Sequence, residues 1–169
     1  MRKGLWAVLA LMAALGVAGT APAAPALTSA AEILKPDGDW RLVEVGELDS
    51  TLEFIAPDSR VVRDGVARVW SFSAFRKLNR LDDTPSVGIW LLWQFDCQAR
   101  TAQAVQVAVL NDAFAVSSQE VPDDQATPLV EDTLSDKLYR WACLDQPMWK
   151  GGDVNGVKLA SERAMALGR

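Results

Sequence analysis

The sequence predicts an α+β domain: a single antiparallel sheet of about six strands, with a C-terminal helix packed on one face and tethered by a disulfide. Three observations predict it. From Trp40 to Ser118 apolar residues recur with period two, in segments joined by short turns and with no helical stretch between them. After Pro122 the period changes to that of an amphipathic helix. The two cysteines, Cys97 and Cys143, fall on the central strand segment and at the end of that helix.

The strands follow in order. "DWRLVEV" alternates Trp40 and Leu42 against Arg41 and Val43, and "TLEFIA" sets Leu52 and Phe54 on one face. "APDS" (56–59) has turn chemistry, and "RDG" (63–65) is an Asp-Gly hairpin signal between Val61-Val62 and the next apolar run. "VARVWSFSAF" (66–75) alternates strongly. Residues 76–85 are polar and charged and end in Asp-Asp-Thr-Pro, which reads as a loop. In "SVGIWLLWQFDCQAR" (86–100) the odd positions from Val87 to Cys97 are all apolar. The even positions Ser86, Gly88, Trp90, Leu92, Gln94 and Asp96 are mixed. That is the pattern of a central strand, buried on one face and partly covered on the other. "TAQAVQVAVL" (101–110) and "AFAVSS" (113–118) complete the set, with Asn111-Asp112 as the turn between them.

Thr127-Pro128 reads as a helix cap followed by proline at the first helical position. Val130, Leu134, Leu138 and Trp141 then recur at helical spacing, with Asp132, Ser135, Asp136 and Arg140 off that stripe. Beyond Cys143, Pro147 and Gly151-Gly152 break the chain, and residues 144–169 form a C-terminal tail with a weak helical pattern.

The N-terminus has Arg2 and Lys3, an uncharged apolar segment from Leu5 to Ala18, and Ala21-Pro22-Ala23 as a cleavage motif. Residues 1–23 therefore read as a signal peptide, since the apolar segment falls short of the about 20 residues a spanning helix needs. Residues 24–39 read as an N-terminal arm and 40–143 as the domain. Cleavage removes two basic residues and no acid, leaving 15 basic against 22 acidic side chains and a net charge of −7. That acidity, without a dense basic cluster, disfavours nucleic acid and electrostatic attachment to anionic lipid. The expected location is periplasmic or secreted. No integral membrane segment is expected after cleavage, and no cysteine near the cleavage site offers a lipid attachment point.

The chain contains no histidine. Histidine-based acid–base catalysis, Ser-His and Cys-His nucleophile pairs, and histidine-ligated zinc or copper are excluded on composition. For Cys97, a reactive thiol needs a cationic neighbour, whereas Asp96 precedes it, and two cysteines alone make a poor metal site. In an oxidising compartment a Cys97–Cys143 bridge is the reading these exclusions favour.

At this point the chain resembles the bacterial surface-adhesin protein E-like domain family. The resemblance is carried by Trp40 opening the first strand and by "DSRVVRDGVARVW" (58–70). Ser86-Val87 leading into "QFDC" (94–97) and the helix closing on "WAC" (141–143) complete it. It implies an antiparallel sheet with a C-terminal helix held on its concave face by the disulfide. Named members of the family are envelope proteins that bind host matrix or serum proteins. This chain departs from them in lacking a lipidation cysteine and in extending 26 residues past Cys143.

Other constellations are weak. "GGDVNGVKLASE" resembles part of a calcium loop, but Gly151 stands where the first acid is required, so a Gly-rich turn is the simpler reading. Asp82-Asp83 and Asp123-Asp124 read as solvated loop acids rather than an acid–base pair, and no Ser-x-x-Lys motif is present in residues 24–169. No cofactor, metal site or catalytic residue is expected. Trp93 and Trp141 read as core. Trp70, Trp90 and Leu92, on strand faces of mixed polarity, are the candidate binding residues, with Trp90 central and partly covered by a loop, the tail or a second subunit. The functional expectation is an exported, non-catalytic, adhesin-like domain that binds an unidentified macromolecule, a protein or a second copy of itself. The alternatives are a carboxylate-dependent enzyme acting on an envelope glycan and a purely structural envelope component.

Overall fold

The computed structural model describes residues 38–45, 50–81, 83–120, 125–148 and 153–168. The segment read as a signal peptide (1–23), the expected arm as far as residue 37, Asp82, Asp123-Asp124, Trp149 and Gly151-Gly152 lie outside the described residues.

The expected antiparallel sheet is present, with nine strands among the described residues instead of about six. They are β1 (Asp39–Val45), β2 (Thr51–Ile55), β3 (Val61–Arg63), β4 (Val66–Leu81), β5 (Thr84–Asp96), β6 (Thr101–Asn111), β7 (Val116–Glu120), β8 (Thr127–Pro128) and β9 (Asp153–Asn155). The path across the sheet is β7-β6-β5-β4-β2-β1-β9, with β3 beside β4 and β8 beside β6. The additional members β3, β8 and β9 are two or three residues long, too short to show alternation. The Asp-Gly hairpin forms as read: Asp64 and Gly65 both have positive φ, 51° and 77°, as the favoured two-residue turn requires.

Two element boundaries differ from the sequence reading. Residues 76–85 are not a loop. β4 runs on to Leu81 and β5 starts at Thr84, with Asp83 in the left-handed region at φ 63°. The pairing of β2 with β4 ends at Phe75, and that of β6 with β5 ends at Ser86. Beyond those points Lys77 to Arg80 are exposed, so the strand carries no burial pattern to read. Likewise, Thr127-Pro128 does not open the helix. It pairs with β6 as β8, and Leu129 N–H donates to Arg100 O at 3.1 Å. Helix α1 spans Leu134–Leu144, and Thr133 is its cap, accepting from Asp136 N–H at 3.3 Å. Val130 is accordingly exposed, whereas Asp136, read as off the apolar stripe, is fully buried. Asp136 is paired with Arg140 at 2.6 Å and accepts from Asp132 N–H at 3.1 Å.

Register separates the two sheet faces. On one, Val43, Ile55, Ala67, Val69, Phe95 and Ala102 form a buried cluster with Leu138, Tyr139, Trp141 and Ala142 of α1. Cys97 and Cys143 are joined, with Cα atoms 5.5 Å apart, so the end of α1 is stapled to the end of β5 as expected. On the other face, Phe54, Phe72, Trp90 and Ala108 stand in one row across β2, β4, β5 and β6. A second helix, α2 (Gly156–Leu167), packs against β1, β2 and β4. Its Val157, Ala160 and Ala164 are buried and lie outside the α1 cluster.

Candidate functional site

Of the three candidate binding residues, the structure places two in the interior. Trp90 is 2% exposed and Leu92 6%. Trp90 stacks on Trp40 at 6.2 Å between ring centroids and meets Phe72 edge-on at 6.1 Å. The mixture of large and small residues along the even face of β5 is interdigitation. A Cβ on Gly88 would lie 2.4 Å from the Phe72 ring and 2.6 Å from the Ser73 carbonyl oxygen. Glycine stands there because an aromatic ring fills the side-chain position. Around Trp90 and Leu92 the even face is a packed aromatic core, so neither side chain offers surface to a partner. Trp70 is half-buried on β4, opposite Leu92. Trp93 is half-buried against the α1 cluster, its indole N–H donating to Ser71 Oγ at 2.9 Å, and Trp141 is buried in that cluster.

The α1 face carries an open cleft of about 570 Å³ at the N-terminal end of the helix. Its walls are Asp132, Thr133, Leu134, Ser135 and Lys137 from α1 and its cap, and Trp93 from β5. Its floor is Glu44 of β1 with Ser50, Thr51 and Glu53 at β2. Period-two reading of "TLEFIA" leaves Glu53 on the face opposite Leu52 and Phe54, a polar position suited to water. The structure covers that face, and Glu53 is 6% exposed.

A buried carboxyl needs hydrogen-bond partners, and β2 and β4 supply them. Thr51 Oγ1 donates to one oxygen at 2.6 Å and Ser73 Oγ to the other at 2.5 Å. Burial pushes the Glu53 carboxyl above its ordinary value of 4.5. The hydroxyls of Ser73 and Thr51 pull it back, and the neighbouring Glu44 adds to the rise. Glu44 stands directly across from Glu53 in the β1–β2 register, and Lys137 forms an ion pair with Glu44. The cleft therefore joins a carboxyl whose pKa burial raises, a glutamate paired with the Lys137 ammonium group, and an indole wall. Such a site can accept and donate hydrogen bonds and exchange a proton. Among the described residues no group of three or more acids and cysteines is arranged to hold a metal ion, and no helix is long and apolar enough to cross a membrane.

Sequence reasoning missed this pair because it looked for acids adjacent along the chain. Glu44 and Glu53 are neighbours only through strand register, which becomes visible once β1 and β2 are paired around their bulge between Leu42 and Glu44.

The opposite end of α1 is tied down. Arg60 donates to Ala142 O at 3.0 and 2.8 Å, pairs with Asp145 at 2.6 Å and lies over the Trp141 ring at 5.3 Å. Tyr139 OH donates to Cys97 O at 3.1 Å, close to the bridge.

Comparison with known proteins places this architecture. No curated protein sequence matches the chain. Among solved structures, protein E of Haemophilus influenzae is similar at 13% identity and a TM-score of 0.43, over 64% of this chain and 85% of that one. Its second crystal form is similar at 14% identity and a TM-score of 0.46, over 66% and 95%. The sequence model of the family described as "Surface-adhesin protein E" matches residues 40–144, from the first residues of β1 to the end of α1, and the chain belongs to that family.

Proposed function

We propose that this chain is an exported, non-catalytic, adhesin-like domain that binds a macromolecule, a host matrix or serum protein being the class the family suggests, through its α1 face. The observation that carries this reading is the family match over residues 40–144. That segment contains every residue lining the cleft at the start of α1 and excludes α2. On the other face Trp40, Phe54, Phe72 and Trp90 are committed to packing, and the α1 side carries the cleft. The removal of residues 1–23 and delivery to the periplasm or beyond belong to the same proposal, resting on the N-terminal sequence.

The test is saturable binding of the purified, disulfide-intact chain to immobilised matrix and serum proteins. Glu44→Ala and Lys137→Ala should weaken binding at least about tenfold, a loss of about 1.4 kcal/mol, while leaving the fold intact. Absence of saturable binding to any of them counts against the proposal.

A second reading has one observation in its favour. Glu53 and Glu44 are two carboxyls in different environments, as an acid–base pair on a glycan requires. Clearing of envelope glycan in a zymogram by the wild type, lost in Glu53→Gln, would establish that reading over the first.

A further inference from the structure

The two helices are held on the sheet with unequal strength. α1 buries Leu138, Tyr139, Trp141 and Ala142, is capped by Thr133 and is stapled by the bridge. α2 buries Val157, Ala160, Ser161 and Ala164, so its contact face is one valine, two alanines and a hydroxyl. A helix of 12 residues does not hold itself in water, and packing has to hold it. Its ends add little: the Asn155 side chain makes no cap bond, the first turn has no acid and the last turn no base. Among the described residues, the buried Ser161 hydroxyl and the indole N–H groups of Trp40 and Trp90 have no hydrogen-bond partner. Each is a polar group removed from water without compensation on the α2 side of the sheet.

We propose that β9 and α2 (residues 153–167) form a releasable strap over the aromatic face, clasped at its far end by Arg76, that opens as a unit while the rest of the sheet and α1 stay folded. β9 is three residues on the outer edge of β1, the last strand on the path across the sheet. α2 follows it directly and packs on β1, β2, β4 and β9. The strap lies wholly beyond residues 40–144, so the family domain proper does not include it.

Two contacts fasten the strap. At its start Gly156, at φ 79°, turns its N–H onto Gly38 O at 3.0 Å. At its end the Arg76 guanidinium donates to Leu167 O, a carbonyl that the last helical turn leaves without an intrahelical partner. Gly168 comes so close that a Cβ there would lie 2.2 Å from Arg76 O. Arg76 stands in the irregularity of β4 between Ala74 and Asn79, where regular pairing with β5 lapses. Removing its side chain therefore frees the strap without breaking a β4–β5 pair. Release takes Val154 away from Trp40, its partner in register, and α2 away from the strand that carries Phe72. The strap thus sets how often this chain shows an apolar face to water. It involves no partner, so it stands or falls separately from the function proposed above.

The experiment is native-state amide hydrogen exchange on the disulfide-intact full chain over a range of low denaturant concentrations. After correction for intrinsic rates, amides 160–167 should exchange at least about a hundredfold faster than those of Phe72 and Trp90, with a weaker denaturant dependence. Arg76→Ala should speed exchange at 160–167 by about a further tenfold and leave Phe72, Trp90 and residues 134–144 unchanged. Protection at 160–167 equal to that of Phe72 and Trp90, or an Arg76→Ala effect spread through the sheet, overturns the strap. Should Arg76→Ala fail to fold, Gly168→Ala decides from within the strap, because its methyl group collides with Arg76 O. Faster exchange confined to 160–167 supports the strap, and either no change or a loss of protection across β4 and β5 refutes it.

Discussion

The two faces of one sheet are put to different uses. The α2 face is an aromatic core in which Trp40, Phe54, Phe72 and Trp90 stack or meet edge-on, each 3% exposed or less. The α1 face is closed at one end by a disulfide, a buried cluster and an arginine contact. At the other it opens into a cleft floored by two glutamates. The difference is one of packing: rings fill the middle of the one face, whereas the other leaves a cleft between the start of α1 and the sheet.

Four substitutions sharpen or break that contrast. Trp90→Ala should have the largest effect, about 3–5 kcal/mol of lost stability in chemical denaturation, as truncating a core aromatic does. A loss below about 1 kcal/mol, the range of surface changes, would mean that the α2 face is not the closed core described. Cys143→Ser comes next. The bridge spans 46 residues of sequence, and opening a loop of that order costs about 4 kcal/mol in the chain-entropy model. Amide exchange should place the loosening first at the C-terminal turn of α1, and loosening that begins in the α2 face would contradict the assignment. Gly88→Ala follows at about 1–3 kcal/mol, because its methyl group would collide with the Phe72 ring and the Ser73 carbonyl. A neutral melting temperature would refute the tight packing. Arg60→Ala is the smallest, about 1 kcal/mol from the hydrogen bonds it donates to Ala142 O, read as a small drop in denaturation midpoint.

Much of this was legible in the sequence. Alternation is clearest in β6, where Gln106, Ala108 and Leu110 are buried between half-buried neighbours, whereas Leu52 to Ile55 of β2 are all buried because both faces of that strand are covered. The pairing of Cys97 with Cys143 followed from what the composition excludes. Three features were not legible, each for a physical reason. The even face of β5 looked half-solvated because Gly88 and Gln94 accompany Trp90 and Leu92. Only the pairing with β4 reveals that Phe72 occupies the space above Gly88. The sequence places the start of α1 too early because Thr127-Pro128 and Thr133 both have capping chemistry, and the hydrogen bonds of Thr127 to Ala102 in β6 and of Leu129 to Arg100 just before it decide between them. The burial of Glu53 was not legible because a strand's own pattern does not record what will cover its polar face.

The central claim is that the α1 face, and not the α2 face, meets the partner. It is tested most directly by photo-crosslinking in cells. A photoreactive residue is placed either at Ser135, on the wall of the cleft, or at Leu159, which is 50% exposed on α2. The account expects a covalent adduct to a discrete macromolecule from Ser135, diminished by Glu44→Ala, and none from Leu159. An adduct from Leu159 with none from Ser135 would contradict it.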